Sequence, residues 1–184
     1  MTRGYRAPRL TLPVGARDHS EGPSDIAVTL VEYGDYQCPY CGAAYPVVKR
    51  LRQQLGPTFR FVFRNFPLTN LHPDAQRAAE AAEAAGAQGK FWEMHDLLFE
   101  NQARLGEADF PFRYAGQLSL DRERLEREVA THVYRARVEE DYGSGIRSGV
   151  NGTPTFFVNG SRYDGRAEFE PLRAALKSAG NSSR

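Results

Sequence analysis

The stretch that most limits what this chain can fold into is Val28-Thr-Leu-Val-Glu-Tyr-Gly-Asp-Tyr-Gln-Cys-Pro-Tyr-Cys41. Val28 to Tyr33 is rich in β-branched and aromatic residues, the composition of a strand. Gly34 and Asp35 break it. Pro39 suits the first position of a helix, where its missing N–H costs nothing. Cys38 and Cys41 are the only cysteines in the protein. At that spacing, on the first turn of a helix, two thiols lie side by side and can close a small disulfide. Cys38 stands at the helix N-terminus, where free backbone N–H groups and the positive end of the dipole favour an anion. That stabilises a thiolate, the nucleophile of disulfide exchange.

Two blander uses of the pair compete. Structural zinc takes four ligands. Here there is no second C-x-x-C, and His19, His72, His95 and His132 are widely scattered. A purely structural bridge of this span closes almost no loop, so it adds little by chain entropy. Redox chemistry is the better use, and no metal is expected.

Glu32 raises a question of its own. It shares a strand face with Val28 and Leu30, while Thr29, Val31 and Tyr33 take the other. A near-continuous apolar run suits a central strand covered on both sides, and a carboxylate under a sheet is costly unless protonated or paired. Two readings stay open. Glu32 either lies near the strand end and reaches water, or is a buried acid with a raised pKa that exchanges a proton with Cys41.

The order of elements then points to an α/β fold. Ala44, Val48, Leu51 and Leu55 recur at helical spacing from Cys38 to about Leu55, and Gly56-Pro57 stops the helix. Thr58 to Asn65 alternates Phe59, Phe61 and Phe63 with Arg60, Val62 and Arg64, a second strand with an aromatic face. Strand–helix–strand in this length favours a parallel pair. A helical block follows: Pro73 to Ala85, Phe91 to Asn101, a short helix over Phe110 to Leu118, one N-capped by Asp121, and one from Val133 to Gly145. Thr155 to Val158 is a strand, Asn159-Gly160 a hairpin turn into Ser161 to Tyr163, and Glu168 to Ala179 a last helix, with Gly180 onward fraying. Leu10 to Val14 is a candidate edge strand broken by Pro13, preceded by a polar tail with Arg3, Arg6 and Arg9. The expected organisation is a tail over 1–24, a core from 25–68 and 149–184, and a helical insertion over 69–148.

Cys38-Pro-Tyr-Cys41 together with Gly152-Thr153-Pro154 resembles the thioredoxin superfamily, in its DsbA-like branch, whose central mixed sheet flanked by helices carries a helical insert in this position. Asp18-His19, Gly22-Pro23, the Val28–Cys38 stretch and Phe63-Arg-Asn-Phe-Pro are similar to the bacterial DsbA-family group, which also includes domains fused to sodium/proton antiporters. The resemblance runs from about Asp18 to Ser178. It implies a thiol:disulfide oxidoreductase. Cys38 is then the attacking thiol, Cys41 the buried resolving thiol and Glu32 the buried acid that serves proton transfer. Pro154 is the cis-proline beside the disulfide, a geometry that base rates alone would not assign. Thr153 before it pairs its backbone with a substrate peptide, and Pro39 and Tyr40 complete the substrate-binding surface.

No cofactor beyond the redox-active Cys38–Cys41 disulfide is implied. The expected partners are protein thiols and disulfides and an unidentified redox partner, with glutathione as a further candidate. Two departures matter. The motif carries Tyr40 where the founding oxidase has a histidine; a neutral tyrosine stabilises the thiolate less, so a less oxidising couple is expected. And Met1-Thr-Arg-Gly-Tyr-Arg-Ala-Pro-Arg is not followed by an apolar segment, so it is not a secretory signal as written, which sets a cytoplasmic expectation, or a periplasmic or extracytoplasmic one if a leader has been removed. The 184 residues carry a formal net charge of +1, which gives no electrostatic case for nucleic acid. No apolar run approaches bilayer length, and a monomer is expected. A glutathione-dependent transferase or isomerase on the same scaffold is one rival reading, though such relatives tend to lack the second thiol. A non-enzymatic peptide-binding or chaperone module around Pro154 is the other, and it would be indifferent to loss of both cysteines.

Overall fold

A computed structural model of the chain describes residues 8–182, so most of the polar tail, with Arg3 and Arg6, lies outside the described residues. The elements are β1 (His19–Glu21), β2 (Thr29–Gly34), α1 (Pro39–Leu55), β3 (Arg60–Asn65), α2 (Ala75–Gly86), α3 (Phe91–Glu100), α4 (Arg122–Ala130), α5 (Arg135–Arg147), β4 (Thr155–Val158), β5 (Ser161–Tyr163) and α6 (Phe169–Ser182). The sheet order is β1-β3-β2-β4-β5. β2 and β3 run parallel across the α1 crossover, with Glu32 opposite Phe63; β4 is antiparallel to β2, with Glu32 opposite Phe156. This is the thioredoxin-like α/β fold, a mixed five-stranded sheet flanked by helices.

Alternation along the strands divides the core in two. Leu30, Phe61, Phe63 and Phe156 face a large cluster shared with α1, α3 and α6. Val31, Tyr33, Val62 and Phe157 face a smaller one closed by Phe66, Val150, Leu10 and Val14. The alanines of α2 are all buried. Their small side chains let α3, α4 and α5 pack on three sides of it. The two acids on this helix are paired rather than bare: Glu80 accepts from His132, and Glu83 from His19 and Asn65.

Three expectations are corrected. The edge strands are His19–Glu21, antiparallel to β3, and β5; Leu10 to Val14 forms no strand, and only the Leu10 N–H is bonded beside β5, to Gly160. The Leu12 and Pro13 carbonyls instead accept from the Arg64 guanidinium at 3.0 and 3.2 Å, so that backbone is unavailable to a ladder. Over Phe110 to Leu118 only a single 3₁₀ turn forms, Phe112–Tyr114. The carbonyls of Ala108 and Phe110 are taken by Arg77, which diverts the acceptors a helix would need. Finally, α6 does not fray at Gly180 but continues to Ser182, with Gly180 against the Val28 side chain.

Candidate active site

β2 ends at Gly34, and the chain turns through Asp35–Gln37 into α1. Gly34 is needed here because a Cβ would lie 2.4 Å from the Phe63 ring. Cys38 is the N-cap residue, with extended backbone (φ −70, ψ 123), and Pro39 opens the helix. The Cys38 N–H donates to the Asp35 carbonyl at 3.1 Å, and the Gly42 N–H returns to the Cys38 carbonyl at 3.0 Å. Both cysteines are free thiols.

The two sulfurs differ sharply in environment. Cys38 Sγ lies 3.4 Å from the Thr153 carbonyl oxygen, and the Thr153–Pro154 bond is cis. Its pKa is drawn down to about 5 from an ordinary 9.0. The largest cause is the hydrogen bond from the Cys41 thiol. Burial opposes the shift, and Thr153 and the backbone N–H groups of Cys41 and Tyr40 add to it. The helix N-terminus thus contributes, but second to the neighbouring sulfur. Cys41 is fully buried, and burial first, then its role as donor to Cys38 and the nearby Glu32 charge, push its thiol well up. The Asp35 N–H points at Cys41 Sγ from 3.5 Å and acts the other way.

Glu32 is 3% exposed, so the reading in which it reaches water is not met. Burial raises its carboxyl to about 8 from 4.5; Arg52 pulls it down and Cys38 pushes it up. A carboxyl with that value exchanges protons near neutral pH. Tyr40 points outward, 74% exposed, and gives the thiolate its backbone N–H only. Cys38, Pro39, Tyr40, Cys41, Glu32, Thr153 and Pro154 thus come from the end of β2, the start of α1 and the approach to β4. Such an arrangement, one acidic and one inert thiol beside a neutral acid, can carry a disulfide exchange through both halves.

Several residues around the site had no place in the sequence reading. The Gln102 side-chain amide donates to the carbonyls of Tyr36 and Cys38 at 2.7 and 3.0 Å. Gly42 leaves room for it, since a Cβ there would meet Gln102 Oε1 at 2.0 Å. Asp35 and His72 are bonded at 2.8 Å, and Gln37 and Asp74 hold each other through two bonds. In the sequence His72 counts only among the scattered histidines, Pro73 opens a helix and Asp35 breaks a strand; polar residues beside a C-x-x-C loop are the available signal. Among the described residues no His, Cys, Asp and Glu group is arranged to hold a metal ion, and no helix is long and apolar enough to cross a membrane.

Comparison with known proteins agrees with the fold that carries this site. A family model described as thioredoxin matches residues 16–178. The Na(+)/H(+) antiporter NhaA 1 of Salinispora arenicola (strain CNS-205) is 50% identical over 171 residues, 92% of this chain and 26% of the relative. The chain therefore spans about a quarter of the length of the curated relatives it matches. A thioredoxin-like oxidoreductase from Silicibacter pomeroyi DSS-3 superposes with a TM-score of 0.75 at 30% identity, covering 91% of this chain and 94% of that one. Wolbachia pipientis alpha-DsbA1, 17% identical, shares the fold with a TM-score of 0.79 over 95% and 96% of the two chains. These findings correct the cytoplasmic expectation. Relatives carrying this stretch are antiporters, which are membrane proteins, so the lack of an apolar segment after Met1 says nothing about the compartment.

Proposed function

Because this chain belongs to the thioredoxin family, as a thiol:disulfide oxidoreductase with the DsbA-like fold, we propose that Cys38 and Cys41 divide its exchange reaction between them. Cys38 thiolate attacks a disulfide of a protein substrate, forms a mixed disulfide and releases the first substrate thiolate. Cys41 passes its proton to Glu32 in the fraction of molecules whose carboxyl, with a pKa of about 8, is ionised, and attacks Cys38. The bond between Cys38 and the substrate breaks, its electron pair leaves with the substrate sulfur, and the Cys38–Cys41 disulfide remains. Run in reverse, the same steps oxidise a dithiol.

One observation supports this division above the others. The outer thiol is held near pKa 5 while the inner one is pushed far up. The acidic sulfur is a ready nucleophile and a good leaving group; the inner one needs a base, and Glu32 has a matching pKa. Thr153 and Pro154 flank Cys38 with a backbone carbonyl suited to an extended substrate, and Pro39 and the outward Tyr40 form the other lip. No cofactor is called on, since electrons enter and leave as thiols. Glutathione is proposed as a second, small exchange partner. A single copy suffices, because every named group comes from one chain.

Cys38→Ser is expected to abolish disulfide exchange in an insulin-reduction assay. Cys41→Ser is expected to leave substrates covalently attached to Cys38, visible on non-reducing gels. If Cys41→Ser accumulates no such adduct, the division of roles is wrong.

A further inference from the structure

The turn between β2 and α1 is held from outside by bonds that converge on one carboxylate. Asp35 Oδ1 accepts the Gln37 N–H at 2.8 Å. Its Oδ2 accepts the Leu68 N–H and the His72 Nδ1–H, both at 2.8 Å. The Asp35 side chain has no exposed surface, whereas His72 keeps 16%. A carboxylate so placed is tolerable only when donors fill it, and two of its three come from the loop after β3. Gln37 and Asp74 stitch the same two loops again, at 3.1 and 2.7 Å.

The main chain of Asp35 touches both cysteines. Its carbonyl accepts the Cys38 N–H at 3.1 Å, and its N–H faces Cys41 Sγ at 3.5 Å. The peptide plane that carries this N–H is held on its Gly34 side by the Phe66 N–H, which donates to the Gly34 carbonyl at 2.8 Å, and on its Asp35 side by the fixed carboxylate, so the carboxylate supplies the second of two anchors. We propose that His72, acting through Asp35, is a positioning residue for the second half of the exchange: it keeps the Asp35 N–H aimed at Cys41 while that sulfur carries negative charge. This rests on Cys41 being the resolving thiol.

The reasoning turns on when charge develops. While Cys41 is a thiol, the 3.5 Å contact is a weak hydrogen bond. Once its proton has moved to Glu32, the same N–H makes a charge-assisted bond, which is stronger. The gain falls on the step in which Cys41 attacks Cys38 and expels the partner's thiolate. It does not fall on the first attack by Cys38, whose stabilising donors lie elsewhere.

Reduced protein mixed with an equimolar amount of 5,5′-dithiobis(2-nitrobenzoate) separates the two halves by stopped flow. The first coloured thiolate is released when Cys38 attacks, the second when Cys41 resolves the adduct. His72→Leu is expected to leave the first release unchanged and slow the second about tenfold, the scale of one hydrogen bond to a charged group. His72→Asn, whose amide nitrogen occupies the place of Nδ1, is expected to restore it. His72→Ser, too short to reach Asp35, provides a second test should His72→Leu not fold. A second release at the wild-type rate in the variants lacking the donor overturns the proposal, as does equal slowing of both releases or failure of His72→Asn to rescue. Single-cysteine variants identify the other failure: if Cys38→Ser releases one equivalent at the wild-type first-phase rate and Cys41→Ser does not, the assignment of the resolving thiol falls, not the role of His72.

Discussion

Cys38 and Glu32 are displaced in opposite senses, and their effects on stability have opposite signs. In the reduced protein Cys38 titrates at about 5 rather than 9.0, so between those values the unfolded chain holds more protons than the fold. The contribution is complete above pH 9.0 and is lost as pH falls through 5. The disulfide form lacks it, so the stability gap between reduced and oxidised protein is expected to move in favour of the reduced form as pH rises from 5 to 9, measured by urea unfolding of each. Glu32 titrates at about 8 rather than 4.5. Its contribution is present below 4.5 and is lost as pH rises through 8. Glu32→Gln is expected to remove that loss and stabilise the protein by about 3 kcal/mol at neutral pH, while slowing the release of the second thiolate. Unchanged stability across this window would mean that Glu32 is not a buried neutral acid. Tyr40→His, which puts a cationic donor beside the thiolate, is expected to shift the equilibrium with glutathione about tenfold toward the reduced protein. The cysteine pair was legible in the sequence because its spacing carries the chemistry; Glu32 and Pro154 were assigned only through the family resemblance, since the strand pattern left Glu32 open and base rates alone would not assign a cis-proline. Asp35 and His72 were not legible, because their pairing joins two loops that no local pattern connects.

Among the elements, β1 and α5 show how a short strand and a glycine-containing helix are held. β1 is three residues long and follows directly from Asp18, whose carboxylate receives Arg64 at 2.8 and 3.1 Å with both side chains buried. Arg64 also donates to the Tyr33 hydroxyl at 2.9 Å. Burial opposes the Asp18 charge, but Arg64 and the Gly15 N–H outweigh it and leave the pKa lowered. This support is expected to vanish as pH falls through that lowered value. Asp18→Ala strands the buried guanidinium and is expected to cost about 3–5 kcal/mol, read by chemical denaturation. On α5, Gly145 lets the helix approach the sheet: a Cβ would stand 2.7 Å from Phe66 and 3.0 Å from Tyr33. Gly145→Ala is expected to cost about 1–3 kcal/mol by overpacking. Element type and order could be read from periodicity. The β1 edge strand could not, because its placement depends on Arg64 capturing carbonyls from a distant loop.

In the molecule as a whole, we propose that the insertion over 69–148 and the surrounding core fold as one unit. The large apolar cluster contains Phe61 and Phe63 from β3 together with Met94 and Leu98 from α3 and Leu125 from α4. Trp92, the only tryptophan, lies 5.6 Å from the Phe61 ring. Its fluorescence and the far-ultraviolet circular dichroism are expected to change along one coincident curve in urea. Separate transitions would show that the insertion is a domain of its own. At one side of the sheet, β5 does not end in open backbone. Leu10 N–H donates to Gly160 and Arg162 N–H donates to Pro8, each at 2.9 Å, around a bridge from Arg9 to Ser161. A ribbon whose outer side is already met at Gly160 and Arg162 by its own leading segment gives a stranger less foothold, so self-association by zipping along that side is expected to be disfavoured while the segment stays docked.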